Sequence, residues 1–516
     1  MARLLLHLVP ILALILPVLS QPPPDNPTIT LPHAKLIGTN IPSLNLTLYR
    51  RIPFAAPPVG ALRFRAPQPP LHVPIYNTNQ PFPACRGAGN YPSDSEDCLY
   101  LAVYSKAWSQ PQRLRPVAVF FYGGGFIRGG ASLSIPPSAY PILNSSATND
   151  IVFVYPNYRT NAFGFLPGSP IAKAKDADFN PGLLDQEAAL RWVQEHIAAF
   201  GGDAADVTIW GQSAGGGSVI AQVVAQTGRG GQPLFRKALA SSPFWPRTYA
   251  GDGPEADEIY VRLIQEVNCG GAKDTLACLR GVESGKLAIA AGKISGVKKY
   301  TTSTFLWAPV VDGVFLKTGL SEAVKKGLDV EMGFGMYNAH EGENFTPGSL
   351  KKGDFEQWLR GFLPGFDARR LTHLEQLYPP NGDAGSFSYA DPWERAGSMY
   401  RDLVLACPAL WLGRGARKGG YVGEYAISPA KHASDVGFWN TVNPLQRNNE
   451  TIYHGFAGAF ASFFQSGEAH AGELKLPDAK SGMELVIESK GFRTANIALL
   501  EERCAFWLDN AKNVPF

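Results

Sequence analysis

Short apolar runs alternate with amphipathic stretches along most of this 516-residue chain. Residues 117–122, 151–155, 207–210 and 331–337 are dominated by β-branched, aromatic and other apolar side chains, a pattern that predicts strands buried on both faces. Residues 185–200 predict a helix. There Leu190, Val193, Ile197 and Phe200 recur at intervals of three and four, while Glu187, Arg191, Gln194 and Glu195 fall largely off that stripe, and Gly201-Gly202 stops it. Strands separated by helices predict an α/β fold with a mostly parallel central sheet covered by helices on both faces. In such a sheet, ligands bind beyond the carboxyl ends of the strands.

One of those strand ends carries a chemical motif. Val207, Thr208 and Ile209 run through Trp210 into Gly211-Gln212-Ser213-Ala214-Gly215, and helix-compatible residues follow. A G-x-S-x-G pentapeptide between a strand and a helix lets the backbone turn sharply around the serine, because the glycines on either side avoid clashes. The turn lifts the Ser213 hydroxyl out of the sheet. It also sets the Ala214 amide at a helix N-terminus, where it can stabilise a developing oxyanion. A second glycine run, Gly123-Gly124-Gly125-Phe126, follows the strand ending at Tyr122. A phosphate-binding loop of the P-loop type would continue with Gly-Lys-Ser or Gly-Lys-Thr. This chain continues with Ile127-Arg128-Gly129, which favours an oxyanion hole.

Carrying these two runs, the chain resembles the type B carboxylesterase/lipase family of α/β-hydrolases, which includes cholinesterases and secreted fungal esterases and lipases. Residues 52–64 look like the family's N-terminal signature and residues 95–101 are similar to its second one. Asn157-Tyr158-Arg159 and the segments 182–186, 200–203 and 309–313 follow in the family's order, so the resemblance runs from about residue 30 to the C-terminal end. It implies an α/β-hydrolase fold with large insertions and a Ser-Glu-His triad in that chain order. Ser213 is carried over from the Gly-Gln-Ser-Ala-Gly match. Glu341 is carried over because Asn338-Ala339-His340-Glu341-Gly342-Glu343-Asn344-Phe345 is similar to the family's Asn-x-Asp-Glu-Gly-x-x-Phe. His340 stands where the family usually has Asp, and Glu343 is the rival acid.

Nine histidines compete for the base. Lys431-His432-Ala433-Ser434-Asp435 resembles the family's His-x-x-Asp/Glu segment, and strand-like Tyr425-Ala426-Ile427 followed by Pro429 puts His432 on a loop above the sheet. His454, in a stretch that reads as a helix, is its rival. The resemblance further implies an oxyanion hole of the Gly124, Gly125 and Ala214 amides. Arg63 with Glu96 and Arg159 with Asp185 look like the family's structural ion pairs. Trp192, Trp307 and Trp507 read as core aromatics. The chemistry requires no metal or organic cofactor, and no Cys/His cluster has zinc spacing.

The ends and the cysteines bear on location. Arg3 followed by an apolar core over residues 4–19, broken by His7, Pro10 and Pro17, reads as an export signal over residues 1–20, cleaved before Gln21. The core is short for a spanning helix of about 20 apolar residues, so cleavage is favoured over a membrane anchor. Residues 21–516 then form one carboxylesterase domain in a secreted protein. Six cysteines in an exported chain suggest three disulfides. Of the fifteen possible pairings, sequence proximity favours Cys85–Cys98 and Cys269–Cys278, leaving Cys407–Cys504. Sequons stand at Asn45, Asn144, Asn344 and Asn449. Asn344 is expected to carry little glycan, because Pro347 follows its sequon and because it lies three residues after the acid, in a site expected to exclude bulk water; the alternative is that the chain turns outward after Gly342 and leaves Asn344 exposed on the rim. A net charge of +3 gives no general pull toward nucleic acid.

Two features bear on substrate. Family lipases tend to carry a long lid in the first disulfide loop, whereas twelve residues, 86–97, separate Cys85 from Cys98. Cholinesterases place an aromatic for a quaternary ammonium in that loop and an acidic residue before the serine. Here the loop has only Tyr91, and Gln212 precedes Ser213, which weakens cation–π and charge recognition of choline. An uncharged carboxylic ester is the expected substrate. The alternatives are a lipase whose lid lies elsewhere, for instance in residues 284–299, and a non-catalytic cholinesterase-like binding protein.

Overall fold

The computed structural model describes residues 26–88, 93–110, 112–131, 139–146, 148, 150–227, 230–295, 306–348, 350–351, 353–440 and 448–514. The expected signal segment and Tyr91 lie outside the described residues. The architecture is that of an α/β-hydrolase. Its central sheet is built, in chain order, from β1 (Thr39–Ile41), β2 (Leu46–Pro53), β3 (Tyr100–Ser105), β4 (Arg115–Phe121), β5 (Val152–Pro156), β6 (Gly202–Gln212), β7 (Lys237–Ser241), β8 (Met332–Asn338), β9 (Gly420–Tyr425), β10 (Met483–Glu488) and β11 (Gly491–Asn496). Their spatial order is β11-β10-β9-β8-β7-β6-β4-β5-β3-β2-β1. The stretch from β10 to β5 is parallel, and antiparallel strands close both edges.

The four strands expected from apolar patterning are β4, β5, β6 and β8, each displaced by a residue or so, with β6 extending back to Gly202. The expected helix begins earlier than its periodicity does. It spans Pro181–His196 (α1), because Pro181 is preset for a first helical turn and has no N–H to leave unpaired. Its last turn tightens into a 3-10 turn over Ile197–Phe200, and Gly201, at φ 77°, ends it. The helix after Ser213, Ala214–Gln226 (α2), is buried along its whole length. Gln186 of α1 donates to Ser218 Oγ at 2.8 Å, and Gln222 of α2 donates to the Leu183 carbonyl at 3.0 Å, so polar groups buried between the two helices are satisfied.

Beneath the β6 end sits an aromatic core. Trp210 is fully buried and its ring centroid lies 4.6 Å from Phe120 and 5.3 Å from both Trp439 and Phe464, the last on helix Glu450–Ser466 (α3). Burying aromatics of this size is worth about 1.5–3 kcal/mol each, and here it fixes the strand that delivers Ser213. Trp192, Trp307 and Trp507 are core residues. Arg63 pairs with Glu96 at 2.7 Å and Arg159 with Asp185 at 2.7 and 2.8 Å.

The structure pairs Cys85 with Cys98, Cys269 with Cys278 and Cys407 with Cys504. By loop entropy each crosslink contributes about 2–5 kcal/mol, most for the last, whose partners are 97 residues apart. Residues 284–299, considered above as a lid, form a helix over Ser284–Ser295, and the remainder lies outside the described residues. Among the described residues no helix is long and apolar enough to cross a membrane. Asn45 and Asn144 are exposed, while Asn449 is half-buried and caps α3 by accepting the Ile452 N–H at 3.3 Å.

Candidate active site

Ser213 sits between β6 and α2 with φ 58° and ψ −126°. A non-glycine residue adopts such a conformation only where its surroundings over-determine it. Here the Ser213 N–H donates to the Ser241 carbonyl at 3.0 Å, and its own carbonyl accepts from Gly217 at 2.8 Å and Phe244 at 2.9 Å. The sharp turn brings α2 hard against β4. A Cβ on Gly215 would overlap the Phe121 carbonyl oxygen, so only glycine fits.

His432 lies beyond the end of β9, on a loop where Ala430 and Ala433 both have positive φ. Its Nε2 is 2.8 Å from Ser213 Oγ, and its Nδ1 is 2.8 Å from Glu341 Oε2. A carboxylate can only accept, so Nδ1 carries the proton and Nε2 is left as acceptor for the serine hydroxyl. Glu341 opens a 3-10 turn, Glu341–Phe345, just past β8. Its side chain is fully buried and its other oxygen accepts the Asn338 N–H at 3.0 Å, whereas His432 keeps 13% of its side-chain surface exposed. The carboxylate is therefore dry and the imidazole reachable. The Phe345 ring meets the imidazole edge-on at 5.1 Å.

The glycine run lies across from Ser213. Gly123, Gly124 and Gly125 share a cleft of about 430 Å³ with Ser213, His432, Phe345 and Trp439. Gly124 has φ 119°, and a Cβ there would overlap the Arg128 carbonyl oxygen. Tyr122 backs the run. Its ring stacks on Tyr158 at 4.2 Å, and the Tyr158 hydroxyl donates to the Tyr122 carbonyl at 2.6 Å. Burial pushes both phenols well above their ordinary pKa, so they remain neutral donors. Ala214 is the first residue of α2 and contributes one of the N–H groups that have no acceptor within the helix.

The rivals are elsewhere. His454 is exposed on α3, with Nδ1 3.4 Å from Ser145 Oγ. Glu343 does not reach His432; its Oε1 is 2.7 Å from His340 Nδ1, and its Oε2 pairs with Lys431 Nζ. Three further groups brace the site in roles that the sequence did not assign to them. Asp435, fully buried, accepts from Ser241 Oγ at 2.6 Å, Trp439 Nε1 at 2.9 Å and Asn338 Nδ2 at 3.1 Å. The His-x-x-Asp spacing contained Asp435 but gave no partner for it. Asn338 also donates from Nδ2 to the Lys431 carbonyl at 2.8 Å, and Asn344 Oδ1 accepts the His432 main-chain N–H at 3.0 Å. Asn344 is exposed, contrary to the expectation that its position next to the acid would bury it, because the 3-10 turn carries it outward past Gly342. Among the described residues no group of three or more His, Cys, Asp or Glu side chains is placed to hold a metal ion.

The model of the carboxylesterase family matches residues 25–507. The chain belongs to that family. It is a carboxylic ester hydrolase with the α/β-hydrolase fold. It is 30% identical to Lipase 4 of Diutina rugosa over 497 residues, covering 86% of this chain and 88% of that one. It is 33% identical to the secreted triacylglycerol lipase LIP1 of Gibberella zeae over 401 residues, covering 70% and 66%. Among solved structures, EstA of Aspergillus niger matches in fold with a TM-score of 0.82 at 24% identity, over 95% of this chain and 99% of that one.

Proposed function

We propose that this chain is a secreted serine esterase that hydrolyses uncharged carboxylic esters through an acyl-enzyme on Ser213, with residues 21–516 acting as one domain. The observation that carries this reading is the unbroken hydrogen-bonded line from Ser213 Oγ through His432 to Glu341, at 2.8 Å for each contact. His432 Nε2 takes the Ser213 proton as the hydroxyl oxygen attacks the ester carbonyl carbon. The carbonyl oxygen becomes an oxyanion and accepts from the Gly124, Gly125 and Ala214 amides; a single such donor is worth about 3–4 kcal/mol at the transition state. Glu341, hydrogen-bonded to Nδ1, stabilises the imidazolium. The imidazolium then protonates the departing alkoxide, the acyl group stays on Ser213, and water activated by the same nitrogen releases the acid.

The cleft that borders Ser213 is lined mostly by glycines and apolar or aromatic side chains, with Arg128 as its charged residue and no carboxylate to attract a cation, which suits an ester without a positive charge. A larger cavity of about 550 Å³ lies at the far end of α2, near Thr227, Lys317 and Arg417, but it borders no nucleophile–base pair. Secretion is supported by the three disulfides and by the secreted lipase among the relatives. The test is covalent: an organophosphonate labels Ser213 in the wild-type enzyme, and Ser213→Ala is neither labelled nor active on a panel of esters. An adduct mapped to another residue, or an active Ser213→Ala enzyme, overturns the mechanism.

The names of the relatives favour a second reading, a lipase acting on longer-chain acylglycerols. The short first disulfide loop can cover little apolar surface, which argues against interfacial activation. A jump in rate as a medium-chain ester passes its critical micelle concentration would decide for the lipase; a smooth saturation curve decides for the esterase.

A further inference from the structure

Three residues of one 3-10 turn grip two consecutive residues of the base loop. Glu341 holds the His432 ring, Asn344 Oδ1 holds the His432 main-chain N–H at 3.0 Å, and the Glu343 carboxylate pairs with Lys431 Nζ. The Glu343 side chain is only 3% exposed, so its charge is not dissipated in water. Its second oxygen takes the Nδ1–H of His340, whose ring packs on Phe387 at 3.9 Å, and the Lys431 ammonium lies 4.6 Å from the Trp393 ring centroid. The loop needs such holds, since Ala430 and Ala433 are both in the left-handed region, where an alanine does not rest by preference.

We propose that Glu343 and Asn344 are positioning residues for the esterase reaction: they fix His432 from its main-chain side, Glu343 acting through Lys431. This rests on His432 being the base. Burial, together with the charges of Lys431 and Arg401, lowers the pKa of His340, so it stands neutral and donates to Glu343 rather than competing with Lys431 as a second cation. Glu394 and Glu424 act on His340 in the opposite sense. On the other side of His432, Asp435 is committed to Ser241, Trp439 and Asn338. The pair Glu343–Lys431 is thus a balanced charge set at the residue before His432, and removing either member alone leaves the other uncompensated.

The test uses the full-length enzyme with a soluble activated ester, reading kcat, KM and the acid limb of kcat/KM. His432→Ala is the reference arm and must abolish turnover. Glu343→Gln is expected to lower kcat about tenfold or more with KM nearly unchanged, as a misplaced base does. It should also move the acid limb to lower pH, because the uncompensated Lys431 charge then disfavours a cation at the neighbouring residue. Lys431→Met should move the limb the opposite way, Lys431→Arg should leave both readouts near wild type, and the Glu343→Gln/Lys431→Met pair should return the limb to its original place. Asn344→Ala should lower kcat, and Asn344→Asp, which keeps an acceptor oxygen, should restore most of it. If Glu343→Gln does not fold, the half-exposed Lys431 variants carry the same readout. Variants that lose thermal stability but leave the acid limb and kcat unmoved would overturn the positioning role alone. A fully active His432→Ala enzyme would overturn the base assignment, and the clasp with it.

Discussion

The hydroxyl of Tyr337 lies 2.9 and 3.1 Å from the two carboxylate oxygens of Glu484, in the interior of the sheet. Tyr337 is on β8 and Glu484 on β10, and Glu424 stands on β9 between them, opposite Tyr337. All three are buried, and Arg401 is the nearest cation, 3.8 Å from Glu424. Burial, and then the Glu424 charge, raise the Glu484 carboxyl well above the ordinary value of 4.5. The folded state therefore holds a proton that the unfolded chain has released. Stability from this group is full below about 4.5 and is lost as pH rises from there toward the raised value.

Glu484→Gln keeps an acceptor for Tyr337 and removes the titration. Thermal unfolding at a series of pH values should find the variant close to wild type in acid and at or above it at neutral pH. A variant with the wild-type slope would mean that Glu484 is not the group that titrates.

The proposed base, His432, is separable from its rival His454 by substitution. His432→Ala should lower kcat by about 10⁴-fold or more, as loss of a triad member does. His454→Ala removes an exposed ring that touches Ser145 and the neighbouring Tyr453 ring and should leave kcat within about twofold. Steady-state kinetics giving the reverse order would reassign the base.

Gly215 is a point where one methyl group should disturb two parts of the site together. Its Cβ would overlap the carbonyl of Phe121, the last residue of β4, which leads directly into the glycine run. Gly215→Ala should therefore displace both the Ser213 turn and the glycine run proposed as the oxyanion hole, cutting kcat/KM and the rate of organophosphonate labelling together by about 100-fold or more. Normal labelling with slow turnover would place the damage in the oxyanion hole alone.

These residues also mark how far the sequence could be read. The Ser213 turn was legible because strand, glycines and helix are contiguous and each has a local signature. The helix ahead of it was found by period, but its start at Pro181 lay outside the apolar stripe and needed the rule for proline in the first turn. His432 and Glu341 came from local motifs, yet the motifs said nothing of how the two segments meet. Asp435 was visible only as a spaced acid, since its partners Ser241 and Asn338 come from β7 and β8. Glu343 could be weighed only as a rival acid, because its pairing with Lys431 depends on a turn and a loop that are 88 residues apart. The exposure of Asn344 could be weighed only as an alternative for the same reason: one tight turn separates a fully dry carboxylate from a solvent-facing amide.

That exposure changes the outlook for the sequon Asn344-Phe345-Thr346. A glycan was expected to be excluded because a carboxylate three residues away must be dry, but Glu341 is dry while Asn344 faces solvent. An N-glycan attaches through Nδ2 and leaves Oδ1 free to accept the His432 N–H, so a sugar and a working base are compatible. Protein secreted from a glycosylating host should carry glycan on a fraction of Asn344, below the occupancy of exposed Asn45 because Pro347 follows the sequon, with activity retained. Thr346→Ala then separates two roles of this one asparagine. It abolishes the sequon but keeps the amide, and should leave kcat on a small ester near wild type, whereas Asn344→Ala removes both and should lower it. Intact glycopeptide mapping alongside kinetics reads both effects. Asn344 free of glycan in every molecule, while Asn45 and Asn144 are occupied, would mean that the turn closes over the amide in solution.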